Sequence, residues 1–288
     1  MRILITGGRG MLGRTLVRHW QGTHDLLVAD LPEVDITDAD SLGAAFAAFR
    51  PEVVVHCAAM TNVDACESDR DKAYLLNAQG TANVARAAAH AGARLIAIST
   101  DYVFSGDRPG DRVETDATAP NTVYGATKLA GEDAVRALCP DQVIARVAWL
   151  YGPGGPSFVH TMRRLAAEDP GRTLKVVDDQ FGNPTSTDAV ADALTAFLAR
   201  PELRGTFHLT CEGVVTWCGF TREILRLAGF DGVTVSPCTT EEYPRPAPRP
   251  HYSALSKAKL AACGLPPMPP WQEALARFVA AEWPRQEA

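Results

Sequence analysis

The sequence predicts an α/β protein built around a doubly wound parallel sheet, with a smaller C-terminal lobe. In the first half of the 288-residue chain, short apolar runs alternate with segments of helical composition. The apolar runs lack the polar alternation of a sheet that faces water on one side, which is typical of strands buried on both faces. Strand–helix–strand order then implies right-handed crossovers between parallel strands.

Five runs in the first half are predicted strands, and two segments between them are predicted helices. The predicted strands cover residues Arg2–Thr6, 26–30, 52–58, 94–99 and 142–148. The predicted helices cover residues 12–20, where apolar residues recur at helical spacing, and 73–91, where alanine dominates. This alternation of predicted strands and helices ends at the glycine- and proline-rich loop at 152–156.

Composition and charge argue against several functional classes. The formal net charge is −6, so the chain on average repels phosphate backbones and a nucleic-acid partner is not expected. No apolar run approaches the roughly 20 residues that cross a bilayer, and no cleavable signal is read at the start. The seven scattered cysteines include no CxxC pair, which predicts neither a zinc site nor a disulfide framework. These features are typical of a cytoplasmic protein with reduced thiols.

A glycine-rich loop follows the first predicted strand and opens the first predicted helix. The segment TGGRGMLG contains a G-x-x-G-x-x-G pattern. Its first glycine permits a tight turn, the second lets the backbone approach a pyrophosphate, and the third lets helix and strand pack closely. The free N–H groups and positive dipole end of the helix favour phosphate. The predicted dinucleotide contacts of this loop are Gly7, Arg9, Gly10, Met11, Leu12 and Gly13.

The segment after the second predicted strand is expected to bind the adenosine part of the cofactor. Asp30 ends that strand, and an acid there binds the ribose hydroxyls and disfavours a 2′-phosphate. Arg9 and Arg14 favour the opposite preference, since either side chain can meet that phosphate. The residues therefore leave NAD(H) and NADP(H) both open. Asp35 and Ile36 are predicted to flank the adenine, with a simple loop as the alternative.

A Y-x-x-x-K motif lies in YGATKLAGE, a segment of helical composition. Tyr124 and Lys128 are four residues apart and therefore share one helix face. A free phenol has a pKa near about 10, and a neighbouring ammonium is expected to lower the pKa of Tyr124. Tyr124 would donate its proton to a carbonyl oxygen as hydride arrives, and Lys128 would also hold the nicotinamide ribose. The alternative is a surface tyrosine beside a solvated lysine.

A hydroxyl at the end of the fourth predicted strand would complete such a site. Ser99, Thr100 and Asp101 occur there, in LIAISTDYVFSG, where parallel sheets bind their ligands. A hydroxyl in this place bonds the substrate carbonyl and stabilises developing negative charge. Because neighbours on a strand point to opposite faces, only one of Ser99 and Thr100 can face the site. The residues themselves leave that choice open, and capping of backbone groups is the alternative role.

These segments together resemble the extended short-chain dehydrogenases and, more narrowly, the dTDP-4-dehydrorhamnose reductases. The resemblance covers nearly the whole chain, and STDYVFSG with YGATKLAGE is its most specific part. The matching segments are TGGRGMLG at the start, STDYVFSG at 99–106, ETDATAPNTVYGATKLAGE at 114–132, RVAWLYG at 146–152, DDQFGNPTS at 178–186, GTFHL at 205–209 and RP at 249–250.

The resemblance implies a reaction, in which NAD(P)H reduces the 4-keto group of dTDP-4-dehydro-L-rhamnose to give dTDP-L-rhamnose. It implies Thr100 as the catalytic hydroxyl, Tyr124 as the proton donor and Lys128 as its partner. It also implies that Ala58 and Ala59 line the cofactor path.

Further contacts with the dTDP-sugar follow from the same resemblance. Asn77 would organise the site, and Trp149 would stack on the sugar or lie beside it. Gln180, Asn183 and Arg249 look similar to contacts with the nucleotide diphosphate. The implied substrate contacts are Thr100, Asp101, Tyr124, Trp149, Gln180, Asn183 and Arg249.

The sequence departs from the family pattern in two places. His251 and Tyr252 follow the RP pair where the family often has a small residue and Asn, which leaves the identity of the sugar nucleotide open. Some members dimerise through a metal held by carboxylates, but the first helix here carries Arg14 and Thr15, so no metal is predicted. A homodimer stays open. The adjacent His and Cys at 56–57 point to opposite faces of a strand and cannot share an ion.

Two other functions fit parts of the pattern. Another nucleotide-sugar reductase, or an epimerase or dehydratase, would keep the glycine loop and the Tyr–Lys pair. An epimerase or dehydratase would need more acid–base residues, and Asp101 is the only acid placed to serve. A non-catalytic regulatory subunit, resembling that of methionine adenosyltransferase, would bind cofactor without turnover. The complete set of Thr100, Tyr124 and Lys128 favours catalysis.

We expect residues 1–150 to form a dinucleotide-binding Rossmann domain. Residues 151–288 are expected to form mainly a substrate-binding lobe, with some segments returning to the Rossmann sheet. The proline-rich run at 243–250 is either a linker or a loop that wraps a ligand. The other elements predicted after residue 150 are strands near 174–177 and 206–209 and helices near 157–167, 187–199 and 216–228.

Overall fold

A computed structural model describes residues 1–284 of the chain. Its strands are β1 (Arg2–Thr6), β2 (Asp25–Ala29), β3 (Val53–His56), β4 (Arg94–Thr100), β5 (Gln142–Val147), β6 (Leu150–Tyr151), β7 (Thr173–Val177), β8 (Phe181–Gly182), β9 (Thr185–Ser186), β10 (Gly205–His208), β11 (Val215–Thr216) and β12 (Thr234–Cys238). Its helices are α1 (Met11–Trp20), α2 (Ala39–Phe49), α3 (Val63–Ser68), α4 (Arg70–Tyr74), α5 (Thr81–Ala91), α6 (Val123–Leu138), α7 (Phe158–Glu168), α8 (Thr187–Leu198), α9 (Trp217–Ala228), α10 (Ala258–Ala262) and α11 (Trp271–Glu282).

The centre of the fold is a six-stranded sheet in the order β10-β5-β4-β3-β1-β2. Every neighbouring pair in this sheet is parallel. The chain runs outward from β1 to β2 and then returns to β3 on the other side of β1. This reversal opens a crevice at the carboxyl ends of β1 and β3, where open parallel sheets bind ligands. The predicted doubly wound parallel sheet is confirmed.

Both faces of the sheet are covered, which explains why its strands are apolar at successive positions. In β1, Ile3 and Ile5 belong to one apolar core, and Leu4, which points the other way, belongs to a second. All three side chains have no exposed surface. The first core lies against α1, α8 and the C-terminal helices, and the second lies against α2 and α5.

The predicted helix over residues 73–91 is broken in the structure. A π-helical segment, Leu75–Gly80, separates α4 from α5. The wider turn carries Asn77, whose side chain is fully buried and makes three hydrogen bonds outside its own helix. Single π-type turns inside α-helices are frequent at functional sites. Alanine-rich composition predicts the helix and carries no signal for this break.

The second half of the chain contributes to the central sheet as well as to a smaller layered region. β10 adds a parallel edge strand beside β5. The pairs β12–β7, β11–β8 and β6–β9 form three two-stranded sheets. Residues 243–250 contain neither helix nor strand. Helices α7, α9 and α11 pack together through aromatic side chains: Phe158 stacks on Phe220 between α7 and α9, and Phe220 meets Trp271 edge-on between α9 and α11.

Three sequence-based expectations can be compared directly with residues 1–284. None of the helices within this range is long and apolar enough to span a membrane. The same residues contain no group of three or more His, Cys, Asp or Glu side chains arranged to hold a metal. All seven cysteines are free thiols.

Arg94 joins the start of β4 to the chain that follows α8. Its guanidinium donates to the carbonyl oxygens of Phe197, Arg200 and Leu203 at 2.8, 3.2 and 2.6 Å. Because the side chain of Arg94 is buried, water has little access to these three carbonyl oxygens and cannot easily replace the guanidinium as their partner.

Replacing Arg94 with Met should lower the free energy of unfolding by about 2–4 kcal/mol, because three hydrogen bonds from a charged donor, each worth roughly 1.5–3 kcal/mol, are lost while the cost of burying that charge is removed. Urea denaturation of the purified protein measures this. Arg164→Met is the matched control, since Arg164 makes only an exposed pair with Glu168 and its loss should cost less than about 0.5 kcal/mol. Equal midpoints for the two variants would contradict the assigned role of Arg94.

Candidate active site

A cavity of about 670 Å³ opens along the carboxyl ends of β1, β3, β4 and β5. It brings together most of the residues that the sequence singled out, from a dinucleotide-like groove at one end to the Tyr–Lys pair at the other. The predicted site residues in its wall are Gly7, Gly10, Met11, Leu12, Gly13, Asp30, Asp35, Ile36, Ala58, Ala59, Thr100, Asp101, Tyr124, Lys128 and Trp149. Arg9, Gln180, Asn183 and Arg249 are not part of that wall.

The glycine loop packs too closely for larger residues. Gly7 has a φ of 65°, and a Cβ there would lie 2.6 Å from the backbone nitrogen of Ala58. A Cβ on Gly13 would lie 2.4 Å from the carbonyl oxygen of Gly7. Gly10 precedes α1 and makes no side-chain cap, so no side chain fills the N-terminus of that helix. This arrangement fits a pyrophosphate held by backbone N–H groups.

Charged side chains of opposite sign meet at the end of the groove that was predicted to take the adenosine. The Asp30 carboxylate accepts hydrogen bonds from the backbone N–H groups of Arg9 and Leu31, both at 2.9 Å. The Arg9 guanidinium pairs with Glu33 and also bonds the Leu31 carbonyl. Arg14 instead donates its Nε to the carbonyl oxygen of Arg9 at 2.6 Å and stabilises the loop. Of the two arginines, only Arg9 lies beside Asp30.

The adenine end has an apolar wall. Ile36 and Val34 are buried there, and the half-buried Leu76 lines the same wall. The carboxylate of Asp35 accepts hydrogen bonds from the N–H and hydroxyl of Thr37, both at 2.8 Å, and so holds its own turn. Val34 and Leu76 were not singled out from the sequence, because isolated aliphatic residues carry no local signal for a ligand.

The three candidate catalytic side chains meet at the other end of the cavity. Thr100 ends β4, and Tyr124 and Lys128 lie in the first two turns of α6. Lys128 Nζ donates to the carbonyl oxygen of Ile98 at 2.8 Å. The Thr100 hydroxyl lies beside the Tyr124 phenol and favours its ionised form. Ser99 is the hydroxyl that turns away, since it donates to the buried carboxylate of Glu132 at 2.6 Å.

Burial is the main influence on the pKa values of Tyr124 and Lys128. It raises the pKa of Tyr124 above its ordinary value, and Thr100 opposes the shift only partly. It lowers the pKa of Lys128 to about 8, with Glu132 acting in the opposite direction. The expectation that Lys128 lowers the pKa of Tyr124 is not met, because desolvation of the phenol is the larger effect. Tyr124 therefore keeps its proton at neutral pH.

Asp101 is a buried carboxyl with one oxygen unpartnered. Its Oδ1 accepts a hydrogen bond from Thr100 at 2.9 Å. Its Oδ2 is buried without a hydrogen bond among residues 1–284. Burial raises the pKa of Asp101 to about 6, while the hydroxyls of Ser253 and Thr100 favour ionisation. An orphaned acceptor in a cavity wall is suited to a ligand hydroxyl.

A buried ion pair holds the elements that carry these side chains. Glu132, one turn beyond Lys128 on α6, accepts hydrogen bonds from Arg146 Nε at 2.8 Å and from its terminal nitrogen at 2.7 Å. Only 3% of Glu132 and 1% of Arg146 is exposed, so neither charge has water as an alternative partner. Ser99, directly opposite Arg146 in the β4–β5 register, binds the same carboxylate. The pairing was not foreseen, although both residues lie in the quoted motifs.

Asn77 ties the catalytic helix to the segment after β3. Its amide nitrogen donates to the Met60 carbonyl at 3.0 Å and to the Thr127 hydroxyl at 3.1 Å. Its oxygen accepts from the Met60 N–H at 2.7 Å. The side chain thus holds α6 beside the cavity and does not line it.

His56 has a structural position between two threonines. Its ring nitrogens lie 2.6 Å from the Thr6 hydroxyl and 2.9 Å from the Thr81 hydroxyl. Burial lowers the pKa of His56 to about 3, so the ring stays neutral. Both ring nitrogens are occupied by these threonines.

Trp149 lies in the cavity wall with both faces of its ring covered. The Trp217 ring stacks on it, with centroids 3.5 Å apart and planes 6° apart. A Cβ on Gly182 would lie 2.5 Å from Trp149 Cε2, 2.6 Å from Nε1 and 2.8 Å from Cζ2. Two rings 3.5 Å apart leave no room for such an atom, so Gly182 covers the opposite face. Both faces of the Trp149 ring are thus covered by protein in this structure, and the predicted contact of Trp149 with a sugar stays a prediction.

Gln180 and Asn183 are held by the protein itself. Gln180 Nε2 donates to the Thr240 hydroxyl at 2.9 Å. Asn183 is fully buried; its amide nitrogen donates to the Gly213 carbonyl at 2.6 Å, and its oxygen accepts from the Leu255 N–H at 2.8 Å. The expected diphosphate contact of Asn183 has no support in this placement, because the amide is used to join two loops. Gln180 is likewise buried and outside the cavity wall.

The proline-rich loop at 243–250 is fastened to α3 by one carboxylate. Asp64 pairs with Arg249 at 2.9 Å and with Arg245 at 2.5 Å. It also accepts a hydrogen bond from the backbone N–H of Ala247 at 3.2 Å. Arg249 therefore has an internal partner in this structure, beside the cavity end formed by Tyr102.

Several cavity residues were missed at the sequence level. Tyr102 packs edge-on against Tyr124, with ring centroids 5.5 Å apart. The motif STDYVFSG contains it, so its position was a usable signal. Thr61, Val63 and Trp217 reach the same end of the cavity from α3 and α9 and their flanking loops, and only long-range packing brings them there.

The sheet, the glycine loop and the Thr–Tyr–Lys group define a Rossmann-type enzyme of the extended short-chain dehydrogenase class. A family model described as the RmlD substrate binding domain matches residues 1–283. The chain belongs to this family, that of the dTDP-4-dehydrorhamnose reductases. The predicted class of oxidoreductase is thereby confirmed.

Individual relatives agree with this assignment. The dTDP-4-dehydrorhamnose reductase of Mycobacterium tuberculosis is 45% identical over 288 residues, covering 97% of this chain and 93% of that protein. The crystal structure of a dTDP-4-dehydrorhamnose reductase from Clostridium acetobutylicum is 43% identical with a TM-score of 0.94, covering 98% and 99% of the two chains. The Bacillus anthracis enzyme of the same name, solved in complex with NADP, is 39% identical with a TM-score of 0.94, covering 97% and 99%.

Replacing Gly13 with Ala should weaken NADPH binding at least about tenfold, because the new Cβ would meet the Gly7 carbonyl at 2.4 Å and widen the loop. Fluorescence titration of NADPH measures the affinity. Gly43→Ala is the matched control, since a Cβ on that glycine of α2 meets nothing within 4 Å and binding should stay unchanged. Wild-type affinity in Gly13→Ala would show that the close packing of this loop is not required.

Proposed function

We propose that this protein reduces the 4-keto group of dTDP-4-dehydro-L-rhamnose to give dTDP-L-rhamnose, by hydride transfer from NADPH or NADH with Tyr124 as the proton donor. One arrangement supports this function above all: Thr100, Tyr124 and Lys128 meet at one end of a cavity whose other end is the glycine loop. The names of the relatives described above point to the same substrate.

The glycine loop and the adenosine end fit a nicotinamide dinucleotide. When bound, that cofactor would supply the hydride. The start of α1 would hold its pyrophosphate through backbone N–H groups. Arg9 suits the 2′-phosphate of NADPH, and Asp30 suits the free ribose hydroxyls of NADH. Because the two side chains are neighbours, we infer that both cofactors are accepted.

The proton is proposed to move from Tyr124 to the substrate carbonyl oxygen. Its raised pKa keeps the phenol protonated until negative charge develops on that oxygen. The resulting phenolate would be stabilised by the Lys128 ammonium and by the Thr100 hydroxyl. Lys128 Nζ, now on the Ile98 carbonyl, would also bind the nicotinamide ribose.

Sugar and nucleotide are proposed to bind at the far end of the cavity. The unpartnered Oδ2 of Asp101 would accept a hydrogen bond from a sugar hydroxyl. In this proposal residues 1–150 hold the cofactor, and residues after 150 supply most substrate contacts. Arg249 could reach a diphosphate only by exchanging its present partner, Asp64.

Replacing Tyr124 with Phe should lower kcat by about 10²–10⁴-fold, because the proton donor is removed while the ring volume is kept. The assay follows NADPH and NADH oxidation by absorbance, with substrate made in situ by the upstream enzymes. Tyr74→Phe is the control, since Tyr74 is exposed on α4.

Near-normal turnover by a folded Tyr124→Phe protein would refute the assigned proton donor. A wild-type protein that binds NADPH tightly without turning over this substrate would refute the proposed reaction. Such a result would favour a different keto-sugar nucleotide or the regulatory role.

The value of kcat/KM should fall as the pH rises through about 8, because kcat/KM reports the free enzyme and the Lys128 pKa is lowered to about 8. The lysine is charged below its pKa, so activity is lost on the alkaline side. Lys128→Arg should be slower yet lack this alkaline limb, since a guanidinium keeps its charge. A wild-type profile that stays flat to a pH of about 10, the ordinary lysine range, would contradict this role.

A further inference from the structure

Trp149 has a backbone conformation that a bulky residue adopts only when its surroundings enforce it. Its φ is 47°, in the left-handed region that favours glycine. Strain of this kind persists where packing over-determines the conformation, and such residues cluster at functional sites. Trp149 lies just after β5, in the cavity wall near the proposed catalytic group.

The groups that pack on the Trp149 ring are placed by one small sheet. Gly182 in β8 pairs with Val215 in β11, and Trp217 follows Val215 by two residues. The same antiparallel ladder therefore places both groups that cover the Trp149 ring, and we call Trp217 and Gly182 the indole clamp. Phe158 packs on Trp217 with ring centroids 4.4 Å apart and supports the clamp from α7.

The indole clamp determines which part of the Trp149 side chain can contact a ligand. Both ring faces are covered, so only the ring edge is free. The indole N–H makes no hydrogen bond to another group within residues 1–284, and it is not among their buried unpaired atoms. A ligand atom that meets a free N–H donor is a hydrogen-bond acceptor, and in a sugar nucleotide that atom is an oxygen.

We propose that Trp217 and Gly182 are positioning residues that hold Trp149 edge-on in the cavity, so that its indole N–H donates to a hydroxyl or phosphate oxygen of the bound sugar nucleotide. This inference rests on the proposed function for its substrate. Gly182 is not part of the cavity wall and acts on the ligand only through Trp149, whereas Trp217 also lies in the wall, so the double variant below tests whether its effect passes through Trp149.

Four variants test this: Trp149→Phe, Trp217→Leu, Trp217→Phe, and the double variant Trp149→Phe with Trp217→Leu. Trp149→Phe removes the N–H and should lower kcat/KM about tenfold, and Trp217→Leu should lower it similarly by releasing the ring. Trp217→Phe keeps an aromatic face and should restore kcat/KM to within about threefold of the wild type. The double variant should be no worse than Trp149→Phe, because coupled residues are not additive.

Unchanged kcat/KM in Trp217→Leu, or multiplying losses in the double variant, would overturn the proposal. If Trp217→Leu does not fold, Gly182→Ala replaces it, since its Cβ would displace the indole without changing any functional group. Gly182→Ala should then lower kcat/KM about tenfold while NADPH affinity stays within about twofold, and Gly43→Ala should change neither. Wild-type kcat/KM in a folded Gly182→Ala protein would equally overturn it.

Calorimetric measurement of dTDP binding shows whether the oxygen belongs to the diphosphate or to the sugar. It also distinguishes a failure of this inference from a failure of the proposed function. Weaker dTDP binding in both Trp149→Phe and Trp217→Leu would assign the oxygen to the diphosphate. Unchanged dTDP binding with reduced kcat/KM would assign it to the sugar. If the wild-type protein does not turn over the proposed substrate, the proposed function fails, and calorimetric binding of dTDP-L-rhamnose, which carries both kinds of oxygen, decides: loss in both variants supports the clamp, and no loss overturns it.

Discussion

The buried ion pair between Glu132 and Arg146 joins the three elements that carry the proposed chemistry. The carboxylate comes from α6, the guanidinium from β5, and Ser99 at the end of β4 adds a third hydrogen bond. Loss of the Glu132 charge would leave the Arg146 guanidinium without its carboxylate and away from water, which costs about 3–5 kcal/mol in comparable sites, whereas loss of Arg146 would leave Glu132 paired with Arg136 alone. The distance between helix and strand ends therefore depends on this pair, and so does the placement of Lys128 one turn earlier.

The same low-dielectric surroundings act in opposite directions on an acid and a base. Burial makes the Tyr124 phenol harder to ionise and the Lys128 ammonium easier to neutralise. The nearby Glu132 carboxylate offsets part of the second effect, so the ion pair has an electrostatic role as well as a mechanical one. A neutral phenol beside a cation suits a site that must release one proton only when charge develops on its ligand.

Local patterns predicted most of the sheet and the cofactor end of the cavity, because their signals lie within a few residues. A buried strand is apolar throughout, and the glycine loop is read directly from Gly7 to Gly13. The remainder depends on contacts between distant segments. Nothing near Trp149 indicates that Trp217 covers it, and nothing in the alanine-rich run indicates the π-type turn at Asn77. Asn183 lies in a motif that suggested a ligand contact, yet its amide joins two loops, a use that composition cannot show.

The position of β10 at the sheet edge also bears on how the chain reaches its fold. β5 is made before the smaller region begins, but its outer edge is paired only by Gly205–His208, some sixty residues later in the sequence. Until those residues leave the ribosome, β5 presents unpaired N–H and C=O groups, which invite wrong strand pairing. A cut near residue 150 would therefore remove the strand that pairs with the outer edge of β5. The strand that covers this edge, β10, comes only after the chain has formed most of the smaller region.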